Sequence, residues 1–165
     1  MMFEFNFKER LDWILYTLKH KVAFLKVEKQ LRGRNTFRGL LHDLDKVFLY
    51  MIPWINLEDA HKHHVKKSSH HLSADKPKTL ENIEEAVIDW ECAPLTKPDK
   101  PLNAYETLYK YYPEYIKDVL PVIQKWLPHQ IIREEDKIKS ISGTYRDVTE
   151  RGSVKEIEDV HVSKG

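Results

Sequence analysis

The sequence predicts an all-α fold, and three features carry that prediction. Apolar residues recur at intervals of three and four along most of the chain. Only 5 of its 165 residues are glycine, which disfavours turn-rich β architectures and glycine-rich phosphate loops. Pro53, Pro94, Pro98 and Pro101 fall between the periodic stretches rather than inside them.

The first helix is predicted from Phe7 to about Arg32, with Leu11, Ile14, Leu15, Leu18, Val22, Leu25 and Leu31 at amphipathic spacing. Gly33 and Asn35 supply a stop and a restart. His20 lies near one edge of that apolar stripe. A second helix is expected from Thr36, a suitable N-cap, to Ile52, where Pro53 ends it. Phe37, Leu40, Leu41, Leu44, Val47, Phe48 and Met51 carry its period.

Asn56-Leu57-Glu58-Asp59 resembles a capped first turn, and the third helix is expected to run from there to about His71. Residues 73–78 read as a loop. Thr79 caps a fourth helix, Leu80 to about Cys92, with Ile83, Val87 and Trp90 on one side. After a proline-rich connector, 103–112 and 113–127 read as further helices, which Pro113, Pro121 and Pro128 should keep short and kinked. From about Ser140 the periodicity fades and polar residues dominate. The expected organisation is one domain over 1–139 and a weakly ordered tail over 140–165.

Composition limits the function classes. Apolar residues make up 41% and charged residues 32%, as in an ordinary globular chain. With 27 basic and 26 acidic residues the net charge is +1, so no global field draws the chain to nucleic acid or an anionic membrane. No apolar run is long enough to span a bilayer, and the N-terminus lacks the pattern of a secretory leader; a cytoplasmic location is expected. A single cysteine, Cys92, rules out an internal disulfide and reads as a small core residue.

Histidine is abundant and uneven: of 9, five lie between His61 and His71. The sharpest local motif is His42-Asp43-Leu44-Asp45-Lys46. Adjacent helical residues point about 100° apart, so His42 and Asp43 could both reach a metal lodged between helices. Lys46, one turn beyond, could hold a phosphate against it. Alone, the dipeptide reads more simply as a buried histidine with an acidic partner.

The next helix changes the weighting. His63/His64 and His70/His71 are two pairs seven residues apart, so on a continuous helix they form two columns of imidazoles. Imidazole with carboxylate suits Zn, Fe, Mn, Co or Ni. The competing reading is a solvated basic segment, given Lys62, Lys66 and Lys67. In the fourth helix Glu85 and Asp89 are four apart on one face, ordinarily a solvated acidic face; Asp89, between Ile88 and Trp90, is the better ligand candidate.

In order, His20, His42-Asp43, the two histidine pairs and Asp89 resemble the HD-domain superfamily of metal-dependent phosphohydrolases, over roughly residues 15–92. The His42–Lys46 segment is similar to the HD-x-x-K run of its HD-GYP branch. A closer resemblance is to small uncharacterised bacterial and phage proteins with HD-x-S-K, a segment A-W-x-H-H-x-x-x-N-x-H-H, and an acidic helix ending in D-W. The matching residues here are His42–Lys46, Ala60–His71 and Asp89-Trp90; Asp45 stands where a small residue is usual and Ser68 near the usual asparagine.

The resemblance implies an HD-like bundle of six to seven helices holding one or two divalent transition metals (Mn, Fe, Zn, Co or Ni). The expected ligands are His20, His42, Asp43, His64, His70 and Asp89. Lys46, His63 and His71 are expected to bind phosphate or move protons. A metal-dependent phosphohydrolase acting on a nucleotide or other small phosphoester is the leading expectation. The alternatives are a di-iron oxygenase and a non-catalytic interaction protein, whose binding surface would be the tyrosine-rich segment Tyr105, Tyr109, Tyr111, Tyr112 and Tyr115. Those tyrosines read better as core packing. The expected partner is a small phosphorylated substrate rather than a nucleic-acid polymer or a membrane, and the oligomeric state is left open.

Overall fold

The computed structural model describes residues 6–97, 99 and 101–131, and it is helical, with no strand among those residues. The elements are α1 (Phe7–Arg32), α2 (Phe37–Leu41), α3 (Leu44–Met51), α4 (Leu57–Lys67), α5 (Leu80–Cys92), α6 (Ala104–Tyr111) and α7 (Ile116–Trp126). Short 3-10 turns at Ala93–Leu95 and Pro113–Tyr115 join the later helices. A compact unit extends to Trp126 and a second begins at Leu127. The expected boundary at 139/140 and the tail beyond it lie outside the described residues. No helix among the described residues is long and apolar enough to cross a membrane.

The helix ends follow capping chemistry. Asn6 accepts from the Glu9 N–H at 3.1 Å, and Gly33 closes α1 in the left-handed conformation at φ 78°. Thr79 caps α5. Asn103 and Glu106 form a reciprocal capping box on α6. Pro121 lies inside α7 without dividing it, contrary to the segmentation expected there.

α1 and α5 pack against each other at the centre. Ala23, Phe24 and Val27 of α1 meet Ile88 and Cys92 of α5, with Leu31 and Trp126 at the margin. Phe24, Ile88 and Cys92 are essentially inaccessible. Removing a ring such as that of Phe24 should cost roughly 3–5 kcal/mol. The stripe that marked α1 in the sequence is not the face it buries: Leu11, Leu15, Leu18 and Val22 are exposed, while Arg10, Thr17, His20, Phe24, Val27 and Glu28 are inside. The inner face is mixed because it carries polar groups with assigned tasks.

Two of those tasks are structural. The Arg10 guanidinium donates to the carbonyls of Tyr50, Ile52, Pro53 and Ile55, tying the α3–α4 connection to α1. Glu28, fully buried, accepts from the Thr36 N–H at 3.1 Å, the Thr36 hydroxyl at 2.6 Å and Arg32 at 3.1 Å. A Cβ on Gly39 would collide with the Glu28 carboxylate, which would have to leave its hydrogen bonds to Thr36 to make room.

Two departures from the expected helices matter for the site. The single helix expected over Thr36–Ile52 is broken at His42–Asp43. His42 leaves α2 in an extended conformation and Asp43 is left-handed at φ 59°. Aspartate is among the few residues that tolerate this, at a cost on the order of 1–2 kcal/mol. The helix expected to reach His71 ends at Lys67, because Ser68 turns extended at ψ 128°. His70 and His71 therefore sit in a turn and do not extend the helical columns begun by His63 and His64.

Candidate metal centre

The break between α2 and α3 aims His42 and Asp43 into the space between α1, α4 and α5. His42 is 3% exposed and Asp43 4%. One face of the His42 ring stacks on Phe24, centroids 3.8 Å apart and 14° from parallel. α4 contributes His64, fully buried, and the turn after it contributes His70 and His71. Among the rings of His42, His64, His70 and His71, contacting centroids lie 4.4 to 5.4 Å apart. α1 adds His20 and α5 adds Asp89, whose Oδ1 lies 2.7 Å from His20 Nε2.

The hydrogen bonds around this cluster point outward. His42 Nδ1 and His70 Nδ1 lie 3.0 and 3.3 Å from the same oxygen of Glu85. His64 Nδ1 lies 2.7 Å from Asp45. A carboxylate on Nδ1 selects the tautomer that leaves Nε2 as a lone pair. Inside the cluster, Nε2 of His42, His64, His70 and His71 and Oδ1 of Asp43 are all buried without a hydrogen-bond partner. Each such atom costs roughly 1–3 kcal/mol when nothing satisfies it.

These atoms converge. Asp43 Oδ1 is 3.1 Å from His64 Nε2 and 3.6 Å from Nε2 of both His42 and His70. His42 Nε2 is 3.5 Å from Asp89 Oδ1. Donors sharing one ion at about 2.1 Å stand about 3–3.4 Å apart. The residues fall into overlapping groups able to hold a metal ion, including His20–His42–Asp43 and His64–His70–His71. All six ligands expected from the sequence are in the cluster, with His71 beside them.

Electrostatics agree with a cluster that carries protons when no ion is bound. Burial disfavours charge on His42, but Asp89, Glu85 and Asp43 outweigh it and raise its pKa to about 9. Burial likewise opposes charge on Asp43, Glu85 and Asp89, yet their histidine partners hold all three below the usual carboxylate range. For His71 burial and the neighbouring His70 outweigh the opposing pull of Asp89 and lower it to about 3. His71 is therefore neutral at neutral pH when no ion is bound, and one of its ring nitrogens lies within 4.8 Å of donor atoms on His64 and His70.

His63 stands apart from the cluster. It is exposed and belongs to none of the groups able to hold an ion. It stands about 100° around α4 from His64, so the helix that buries one turns the other to solvent. Lys46 stands beside the cluster, its ammonium 2.8 Å from Asp43 Oδ2. Cys92 is buried, burial raises its thiol pKa, and it donates to the Asp89 carbonyl at 3.2 Å, so it packs as a neutral core residue.

The cluster is surrounded by a layer of supporting residues that residue spacing alone does not mark. Glu85, set aside as solvated, is 5% exposed and paired with Arg38, which also donates to Asn82 at 2.5 Å and Ser69 at 2.6 Å. The apolar run Ala86-Val87-Ile88 beside Glu85 was the available hint of burial. Two lysines hold the non-helical turns. Lys21 donates to the carbonyls of Leu40 and His42. Lys76 donates to those of Val65, Ser68 and His71 at 2.5, 2.8 and 3.0 Å.

A chamber of about 120 Å³ opens over the cluster, lined by Tyr16, His20, Asp43, Lys46, His71 and Asp89 among others. No protein-family model matches the chain, and neither a curated protein nor a solved structure matches it.

Proposed function

We propose that this chain is a metal-dependent phosphohydrolase acting on a nucleotide or another small phosphoester, with an HD-type ligand set. The observation that supports it best is the convergence of five partnerless buried atoms, on His42, Asp43, His64, His70 and His71, within one cluster. His20, His42, Asp43 and Asp89 would hold one ion, and His64, His70 and His71 a second. Bound divalent ions supply Lewis-acid polarisation of a phosphoester and a lowered pKa for water.

The remaining residues favour a phosphate over an uncharged substrate. Lys46 offers an ammonium on the chamber wall while restraining Asp43, and Lys97 adds a second cation to the same wall. His61, at the wall and more exposed than the ligands, is the histidine best placed to meet a leaving oxygen.

Elemental analysis of the purified chain, then phosphate release by Mn-, Co- or Fe-loaded protein from nucleotides and a generic phosphoester, tests this reading. Phosphate release that Asp43→Ala abolishes is the expected result; unchanged activity in that variant overturns it. The donor set, five imidazoles to two carboxylates, also suits iron. Oxygen consumption by two-iron protein without phosphate release would favour a di-iron oxygenase.

A further inference from the structure

A second and much larger cavity, about 910 Å³, shares Trp13, Tyr16, Tyr50, His61 and Lys97 with the metal chamber, so the two abut. Its size suits a ligand with a substantial organic part. Three aromatic rings form one side. The Trp13 centroid is 6.0 Å from Tyr16 at 82° and 6.1 Å from Tyr50 at 49°. Tyr50 is buried, whereas Trp13 is 44% exposed, so part of the indole is open to a ligand.

Charge is distributed unevenly along this path. At the chamber end stand Lys46 and Lys97, the latter with its ammonium 5.5 Å from the Tyr16 ring centroid. At the outer end the cavity is lined by Glu9, Asp12, Glu58 and Asp99. Glu58 shares its charge with Lys62 at 2.5 Å; the rim remains acidic. Between the two ends the Tyr16 hydroxyl is buried without a hydrogen-bond partner, on a residue that lines both spaces.

We infer that the outer cavity receives the organic part of the substrate and selects a monophosphoester whose organic part is planar and uncharged or cationic, rejecting polyphosphates and other distal anions. This rests on the proposed phosphoester chemistry of the adjoining chamber. The phosphate lies at the cationic end, beside Lys46 and Lys97. The planar group lies against the open part of the Trp13 indole, where stacking and cation–π attraction are available. A second anionic group would have to sit among the rim carboxylates, where like charge disfavours it.

Calorimetric titration of the Mn-loaded full chain with phosphonates tests this, because their P–C bond is not hydrolysed and binding is read apart from turnover. The probes are inorganic phosphate, phenylphosphonate, 4-(aminomethyl)phenylphosphonate and 4-carboxyphenylphosphonate. The ammonium compound should bind tightest and the carboxylate weakest, with a spread of about tenfold or more. That spread should shrink in Asp12→Asn combined with Glu58→Gln, both at exposed positions. Trp13→Ala should weaken all three aryl compounds and leave inorganic phosphate unaffected. Equal affinity for the three aryl compounds, with phosphate still bound, overturns the selectivity alone. Failure of the Mn-loaded chain to bind inorganic phosphate overturns the phosphoester reading and this inference with it.

Discussion

His42 Nδ1 lies 3.0 Å from Glu85 Oε1, and this contact directs the opposite nitrogen of His42 into the cluster. The same oxygen lies 3.3 Å from His70 Nδ1. One carboxylate therefore sets the tautomer of two candidate ligands on different segments. Glu85→Gln keeps the length and removes the charge. Metal affinity should fall about 10- to 100-fold, read by titration of the chelator-treated protein with Mn. Undiminished affinity would mean that Phe24 and the backbone alone hold the imidazoles.

Removing the metal should lower stability, because an ion that binds only the folded state stabilises it by mass action. At a free-ion concentration of about 100 times Kd the gain is about 2.7 kcal/mol, visible as a rise in Tm that a chelator reverses. In Asp43→Asn the rise should be lost or strongly reduced, since Asp43 Oδ1 is the oxygen within 3.6 Å of three imidazole nitrogens. Asparagine tolerates the left-handed backbone at least as well as aspartate. A lost response would therefore report the missing carboxylate and not a damaged turn.

The extent to which the sequence revealed this arrangement follows from the kind of interaction involved. Helix periodicity and capping residues act locally, so α1 and α5 could be placed with their observed limits from Phe7, Gly33, Thr79 and Cys92. The histidines were conspicuous by number and spacing. The breaks at His42–Asp43 and after Lys67 were not legible. Each is held by a lysine from another segment, Lys21 or Lys76, whose partners are backbone carbonyls and leave no pattern in side-chain identity. Glu85 was misjudged for a related reason: an acidic residue on a helix is normally solvated, and only the arrival of Arg38, His42 and His70 from elsewhere makes its burial affordable.

The metal-free protein should be most stable near pH 6.5 and lose stability on both sides. His71, lowered to about 3, and His61 and His70, also lowered, stay neutral in the fold while the unfolded chain takes up protons below about 6.5. Stability is then lost as pH falls through that range. His42, raised to about 9, and His64, also raised, hold protons in the fold that the unfolded chain has released. Their contribution is full below about 6.5 and is lost as pH rises toward 9. Urea unfolding of chelator-treated protein from pH 5 to 9 checks this; a monotonic rise across the range would contradict it. With metal bound, the alkaline decline should disappear, because ligation replaces those protons.

Lys76 touches no ligand side chain, yet its ammonium joins the end of α4, through the carbonyls of Val65 and Ser68, to the carbonyl of His71. It replaces the helical hydrogen bonds that are lost where Ser68 turns extended, and so fixes the turn that delivers His70 and His71 to His64. Lys76→Met keeps most of the aliphatic stem and removes all three donors. One of the three hydrogen bonds is exposed and two are part-buried, so the loss of global stability should be modest, about 1–2 kcal/mol. Metal affinity should fall by at least about tenfold, because two imidazoles lose their fixed positions. Adding metal should recover the helical spectrum little but narrow the histidine NMR resonances, which in the variant should be broadened by turn motion. If Lys76→Met binds metal as tightly as the parent chain, the turn is held by the packing of the His70 and His71 rings against His64 and not by the ammonium.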